Sequence, residues 1–391
     1  MENNVKARVI AFYLPQFHPI PENDDWWGKG FTEWTNVGKT KPLFKGHYQP
    51  RVPADLGYYD LRMPEVREAQ AKMAREAGIE GFCYWHYWFG NGKQLLERPF
   101  NEVLESGNPD FPFCLGWANH SWSNKTWQNG SKFTKDSMFM EQVYLGEKEH
   151  TEHFYDVLKA FKDKRYICVD EKPIFVVFDP LAIPESKAFV ALWNKLAVEN
   201  GLKGIHFVGI VSNLSGFYID KNNNKKHYLV KASESSVSRY KQVLDAGFDA
   251  VNSRGLFRAE LILRGRYLKL VDFLSRKFFG GAFIDKFNYS KIIKHLYVKE
   301  DSWDNVYPTL LPNWDRSPRS GKKATIYYGS TPDLFKKSVE SALEVIKDKE
   351  DQHKILFLMS WNEWAEGNYM EPDLVFGKGY LEKLKQAILN K

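Results

Sequence analysis

The chain has 391 residues, 43% of them hydrophobic and 27% charged, with a net charge of +6. That balance excludes an intrinsically disordered chain, and the charge is too mild to imply a nucleic-acid partner. Phe, Tyr and Trp make up 16% of the residues, with 13 Trp among them, more than a core built from Leu, Ile and Val needs. The length fits two domains of ~150 residues or a single α/β barrel with insertions of ~250–400. Cys83, Cys114 and Cys168 have neither metal-ligand nor disulfide-framework spacing and read as reduced and buried. The first residues lack a signal-peptide h-region, and no stretch reaches the ~18 apolar residues of a membrane span. A cytoplasmic protein is the expectation.

Eight short apolar, β-rich runs follow in order: Val9–Tyr13, Gly81–Trp85, Phe113–Trp117, Ile174–Phe178, Ile205–Val211, Ala250–Asn252, Val306–Leu311 and Ile355–Met359. Helical patterns fall between them, at Pro64–Ala77, Lys148–Phe161, Pro184–Glu199, Ser235–Ala246 and Thr331–Lys347. The last opens with Ser-Thr-Pro-Asp, a cap followed by a first-turn proline. Alternation of this kind predicts a parallel sheet. No Gly-x-Gly-x-x-Gly follows the first run, so a (β/α)8 TIM barrel is favoured over a dinucleotide-binding sheet.

After each run the chain turns polar and aromatic together. Leu14-Pro-Gln-Phe-His18 follows the first, His86-Tyr-Trp-Phe-Gly90 the second and Asn119-His-Ser-Trp122 the third. Asp179, Ser212, Ser253-Arg254, Pro312–Arg316 and Trp361–Trp364 follow the others. Barrel active sites are built from these strand ends. Two segments break the repeat. Asn213–Lys231 reads as an exposed polar loop. Residues 255–304 are basic and aromatic: Arg258–Lys294 holds nine Lys/Arg against three acids, interleaved with Phe and Tyr. It reads as an amphipathic helical insertion packed on the body, or as a patch for a membrane surface or an anionic ligand. One barrel spanning 1–391 with this insertion is the expected organisation.

The most informative segment is Met359–Asp373, which places Glu363, Glu366 and Glu371 among Trp361 and Trp364. In a helical turn, positions i and i+3 share a face, so Glu363 and Glu366 point together. Two carboxylates in an aromatic pocket do not ionise equally, which yields an acid beside a base. Glycoside cleavage uses such a pair; a solvated helix start rich in acids is the plainer alternative. Sugars present hydroxyls at the rim and apolar C–H faces, so a site for them wants polar groups beside rings. Tyr13, Gln16, His18, Glu33, His86, Asn119, His120, Asp315, Asn362 and Glu371 are the polar candidates. Trp27, Trp34, Trp85, Trp117, Trp122, Trp314, Trp361 and Trp364 supply rings. Arg316 and Arg319 either clamp an anion with Asp315 or pair with it. His18, His86 and His120 lack metal-ligand spacing, and Walker, Asp-x-Asp and Gly-x-Ser-x-Gly motifs are missing. No metal and no cofactor are predicted, and the expected partner is an oligo- or polysaccharide.

The segments Phe12–Asp24, Trp26–Val37, Asp55–Arg62, Gly81–Phe89 and Trp361–Gly367 resemble the WbsX-like family of bacterial polysaccharide and lipopolysaccharide gene clusters, whose members are often labelled glycosyltransferases. Asn362-Glu-Trp-Ala-Glu-Gly367 is also similar to glycoside hydrolase family 99, the endo-α-mannosidase and endo-α-mannanase barrels. That resemblance implies a retaining, metal-independent, endo-acting hydrolase. Glu363 matches the base that deprotonates the sugar 2-hydroxyl, which attacks C1 to give a 1,2-anhydro sugar. Glu366 matches the acid that protonates the leaving oxygen. Ala365 stands where family 99 usually carries histidine, and His120 where the WbsX-like pattern has glutamate. A transferase or transglycosylase in cell-surface glycan assembly is the second reading, with residues 255–304 docking at the membrane.

Overall fold

A computed structural model describes residues 5–123, 138–212, 217–219, 226–228, 232–278 and 284–389. Eight parallel strands form the barrel: β1 (Arg8–Tyr13), β2 (Gly81–Trp88), β3 (Phe113–Trp117), β4 (Lys172–Val177), β5 (His206–Val211), β6 (Ala250–Ser253), β7 (Val306–Leu310) and β8 (Ile355–Leu358). Each pairs with the next, and β8 closes on β1 with Arg8 opposite Ile355 and Val9 opposite Leu356. A helix follows every strand: α1 (Pro64–Glu76), α2 (Arg98–Ser106), α3 (Glu147–Phe161), α4 (Ser186–Glu199), α5 (Ala232–Asp245), α6 (Leu256–Phe278), α7 (Pro332–Ile346) and α8 (Gly379–Ile388).

The reason lies in the pattern of burial. Strands enclosed by helices outside and side chains inside are covered on both faces, so they read as continuous apolar runs. β3, β5, β7 and β8 are buried at every position. The helices show instead one buried stripe; in α7 it is Phe335, Ser338, Val339, Ala342 and Ile346. Its predicted cap is present, the Thr331 hydroxyl accepting the Leu334 N–H at 3.3 Å.

One boundary differs with consequence. β2 runs three residues beyond the predicted Trp85, because Gln94–Leu95 folds back and pairs antiparallel with Tyr87 and Trp88. His86 is therefore a strand residue and not a loop residue. Cys83 and Cys114 are buried, whereas Cys168 is only half-buried.

The inserted segment is helical at its start, with α6 interrupted at Gly265 (φ 72°, ψ 167°). Beyond it, Asp285–Asn288 pairs in parallel with Thr325–Tyr328. Leu256, Ala259, Phe287, Ile292 and Leu296 pack there against Leu311, Tyr327 and Met359 in a satellite core. The side chains of Arg266, Tyr267, Lys269, Phe273, Arg276, Lys277, Phe278, Phe279 and Phe283, on which the membrane reading leans, lie outside the described residues. Of the predicted loop 213–231, the described part is a short antiparallel pair, Phe217–Ile219 with Lys226–Tyr228. Among the described residues no helix is long and apolar enough to cross a membrane.

Candidate active site

The C-terminal strand ends open into a cavity of about 540 Å³. Trp85 and Tyr87 from the end of β2, Trp122, Phe178 and Trp314 supply its rings, and Gln16, His120, Arg254, Arg316 and Arg319 its polar groups. Glu363 and Glu366 reach it from the loop after β8.

That loop begins with backbone ties to β1. The Trp361 N–H donates to the Phe12 carbonyl at 2.7 Å, and the Asn362 side chain accepts from Leu14 N–H at 2.8 Å while donating to Leu14 O at 3.0 Å. A single 3-10 turn, Trp364–Glu366, carries the second glutamate round to the first. It closes at Gly367, which adopts φ +66°, and a Cβ added there would stand 2.8 Å from the Asp315 Cβ. Only glycine lets the loop after β7 come this close, and the approach is used: the Asp315 N–H donates to the Glu366 carbonyl at 2.7 Å.

Arg319 joins the acids. Its Nη1 donates to Glu366 Oε1 at 2.5 Å and to Glu363 Oε1 at 3.1 Å, so both carboxylates converge on one nitrogen. Its Nη2 lies 3.2 Å from Glu33, a fully buried acid behind the cavity wall. Arg316 Nε adds a second cation 3.1 Å from Glu366. The two glutamates therefore titrate apart. Burial and the neighbouring Glu366 charge push Glu363 up to about 7, with Arg319 opposing. Burial also works against Glu366, but Arg316 and Arg319 hold it below the usual carboxylate range. Of the two, Glu363 is therefore the one disposed to hold a proton near neutrality and Glu366 the one disposed to stay ionised. That ordering is opposite to the roles the family 99 resemblance implies.

The cavity thus gathers Gln16, Trp85, His120, Trp122, Trp314, Glu363 and Glu366 from the residues expected at a site. Burial holds His120 down to about 4, so its ring is neutral. The remainder are not among the residues that line this cavity, and they bond or pack to neighbouring side chains and backbone. Trp117 and Trp361 are 0% exposed, and Trp117 donates to the Trp88 carbonyl at 2.8 Å. Trp34 donates to the Tyr59 carbonyl at 2.8 Å, and Trp27 packs on Phe31 and Phe139. Trp364 stacks on Tyr369 with ring centroids 3.8 Å apart and donates to Glu371 at 2.6 Å. Glu371 also accepts from Gln70 at 2.6 Å and Tyr59 at 2.8 Å; burial pushes it up to about 7 against these bonds. Tyr13 donates to the other end of the Gln70 amide at 2.6 Å. Asn119 clamps the Asp179 backbone, and His86 lies in the core 2.9 Å from His153. His18 is buried and held down to about 4 by burial.

Asp315 is also internal. It does not pair with Arg316 or Arg319; His47 and Gln49 each bond it at 2.8 Å. Burial notwithstanding, that His47 bond and Arg51 hold it down to about 2. Sequence reasoning missed Tyr87, Phe178 and Arg254 as cavity residues. Tyr87 was hidden by the short reading of β2, and the other two are single residues beyond a strand end. Among the described residues no group of three or more His, Cys, Asp or Glu is placed to hold a metal ion.

Solved structures share this architecture. A glycoside hydrolase-like protein aligns at TM-score 0.59 with 15% identity, over 100% of this chain and 96% of its own. The GH99 endo-alpha-mannosidase from Bacteroides thetaiotaomicron aligns at TM-score 0.55 with 12% identity, over 97% of this chain and 95% of its own. At those identities the likeness is one of fold: a TIM barrel of the type these enzymes use. The sequence places the chain more closely. The family described as Glycosyltransferase WbsX matches residues 9–384, and the chain belongs to that family. Two curated relatives, named WxcX, from strains of Xanthomonas campestris pv. campestris are each 33% identical over 389 residues, or 99% of this chain and 50% of theirs. The chain spans about half the length of these relatives.

Proposed function

We propose that this protein breaks an α-glycosidic bond within a bacterial polysaccharide, using Glu363 and Glu366 as an acid–base pair. The observation that carries the reading is two carboxylates converging on a single arginine nitrogen inside a ring-lined cavity, with Glu363 raised and Glu366 lowered in pKa. Retaining cleavage through the sugar 2-hydroxyl needs one carboxylate to take the hydroxyl proton as that oxygen attacks C1. The other protonates the departing oxygen, and water then opens the 1,2-anhydro ring. A pair that converges on one point suits this route better than carboxylates set apart across the ring with room for a water between them.

Which glutamate acts as the acid is testable. The free-state ordering gives the proton to Glu363, the resemblance to Glu366. The acid's glutamine variant keeps turnover on a glycosyl fluoride, whose leaving group needs little protonation, while the base's variant loses both substrates. Release of new reducing ends from an α-linked glycan that persists in both E363Q and E366Q would sink the reading.

The family's description favours a second reading, transfer of the glycosyl group to a sugar hydroxyl in place of water. The same pair serves it, and the products discriminate: a lengthened glycan with no new reducing ends marks a transferase.

A further inference from the structure

Arg254 follows directly on β6, its backbone N–H donating to the Val211 carbonyl at 3.1 Å. The residue is 8% exposed and lines the cavity. Its guanidinium carbon lies 4.9 Å from the centre of the Phe12 ring, 5.9 Å from Trp85 and 6.0 Å from Phe178. Rings attract a cation but accept no conventional hydrogen bond. Nε and Nη2 are buried with no hydrogen-bond partner among the described residues. The other two cavity arginines differ: Arg319 is divided among Glu33, Glu363 and Glu366, and Arg316 reaches Glu366. Glu363 and Glu366 act on Arg254 through charge alone, and burial holds its guanidinium down to about 10. A buried charge without an acceptor is unfavourable unless something fills the gap. Gln16 Nε2, also on the lining, is a second buried donor with no partner among the described residues.

We propose that Arg254 receives an oxyanion carried by the substrate, a sugar carboxylate or a phosphate group, so that this protein acts on an anionic glycan or donor. The inference rests on the cavity being a saccharide site and names the chemical class that enters it. Its planar fork of N–H donors suits the paired oxygens of either group, and the aromatic surroundings strengthen the contact by excluding water.

The test is binding, read from tryptophan fluorescence, since Trp85, Trp122 and Trp314 border the cavity. The full chain is titrated with methyl α-glucuronoside, glucose 1-phosphate and methyl α-glucoside. At least one anionic probe should bind roughly ten- to a hundredfold more tightly than the neutral glucoside, the scale of a charge-assisted hydrogen bond. R254M should erase that preference, and R254K should keep part of it. A preference for the glucuronoside assigns a carboxylate; one for the phosphate assigns a phosphoryl group. Because Nε and Nη2 have no hydrogen-bond acceptor among the described residues, R254M should unfold at close to the temperature of the parent chain or higher. Equal affinity for all three probes, no binding of any, or an anionic preference that survives R254M would overturn the proposal. So would a large fall in the R254M unfolding midpoint. E363Q separates the two readings: undiminished release of reducing ends from an α-linked glycan there would sink the acid–base assignment while leaving the anion preference to stand or fall by itself.

Discussion

The rim of this barrel is built in two ways. After β1 to β4 it is aromatic: Trp34 and Trp117 each spend their N–H on a backbone carbonyl, Trp26 and Trp27 pack on Phe139, and among the described indoles of this half Trp85 and Trp122 line the cavity, beside Tyr87 and Phe178. After β6 to β8 it is charged, with Arg254, Arg316, Arg319, Glu363 and Glu366 on the lining. The contrast is that most of the described indoles pack against other residues and do not line the cavity. They form an apolar wall; burial raises both glutamates, and Arg316 and Arg319 on the charged half hold Glu366 down and so separate the pair. Chemistry sits on one half of the rim and its environment on the other.

The sharpest way to break this contrast is on the charged half. E363Q and E366Q should each reduce turnover by roughly 10²- to 10⁴-fold, the range for a general acid or base, with an unchanged circular-dichroism spectrum. Next comes R319M, which strands Glu33 as a buried charge without its cation. Urea unfolding should show a loss of about 3–5 kcal/mol, and a fully stable R319M would mean that the junction is dispensable.

On the aromatic half the effects should separate stability from binding. W117A opens a cavity in the core and should cost about 3–5 kcal/mol in unfolding experiments. W314A, at the lining, should change stability by under ~1 kcal/mol and raise KM instead. If W117A weakened substrate binding without destabilising the fold, the division of the rim proposed above would be wrong. E371Q turns an acceptor oxygen into an N–H₂ facing the donors Gln70, Tyr59 and Trp364, for an expected loss of about 1–3 kcal/mol by thermal unfolding.

The smallest effect is one of pH. Glu363 and Glu371 have folded pKa values of about 7, above the ordinary 4.5. A carboxyl group raised on folding holds its proton more tightly when folded. Its contribution is complete below 4.5 and is lost as pH rises through about 7. Stability should fall by about 1 kcal/mol per group between pH 6 and 8. E363Q should flatten part of that slope; a wild-type stability that rises over the same interval would contradict both assignments.

Much of this was legible in the residues. The strand runs were readable because a barrel strand is apolar on both faces over a length fixed by the barrel, so hydrophobicity alone marks it. The pair Glu363 and Glu366 was readable because three residues of local chain bring them together. β2 was read short because its extension depends on Gln94–Leu95 folding back, a contact between segments. Trp117 and Trp314 could not be told apart, since each is an indole at or just past a strand end, and burial is set by what packs over them. Asp315 looked like a partner for Arg319, yet His47 and Gln49, more than 260 positions away, claim it.

The sequence by itself determined the alternation of strand and helix, the polar and aromatic strand ends and the two glutamates, because each is a matter of neighbouring residues. Tertiary structure alone decided that Arg319 ties three acids together, that Glu363 is raised in pKa while Glu366 is lowered, and that Arg254 Nε and Nη2 have no acceptor among the described residues. Ionisation and pairing depend on distance and dielectric, and those exist only once distant segments have met.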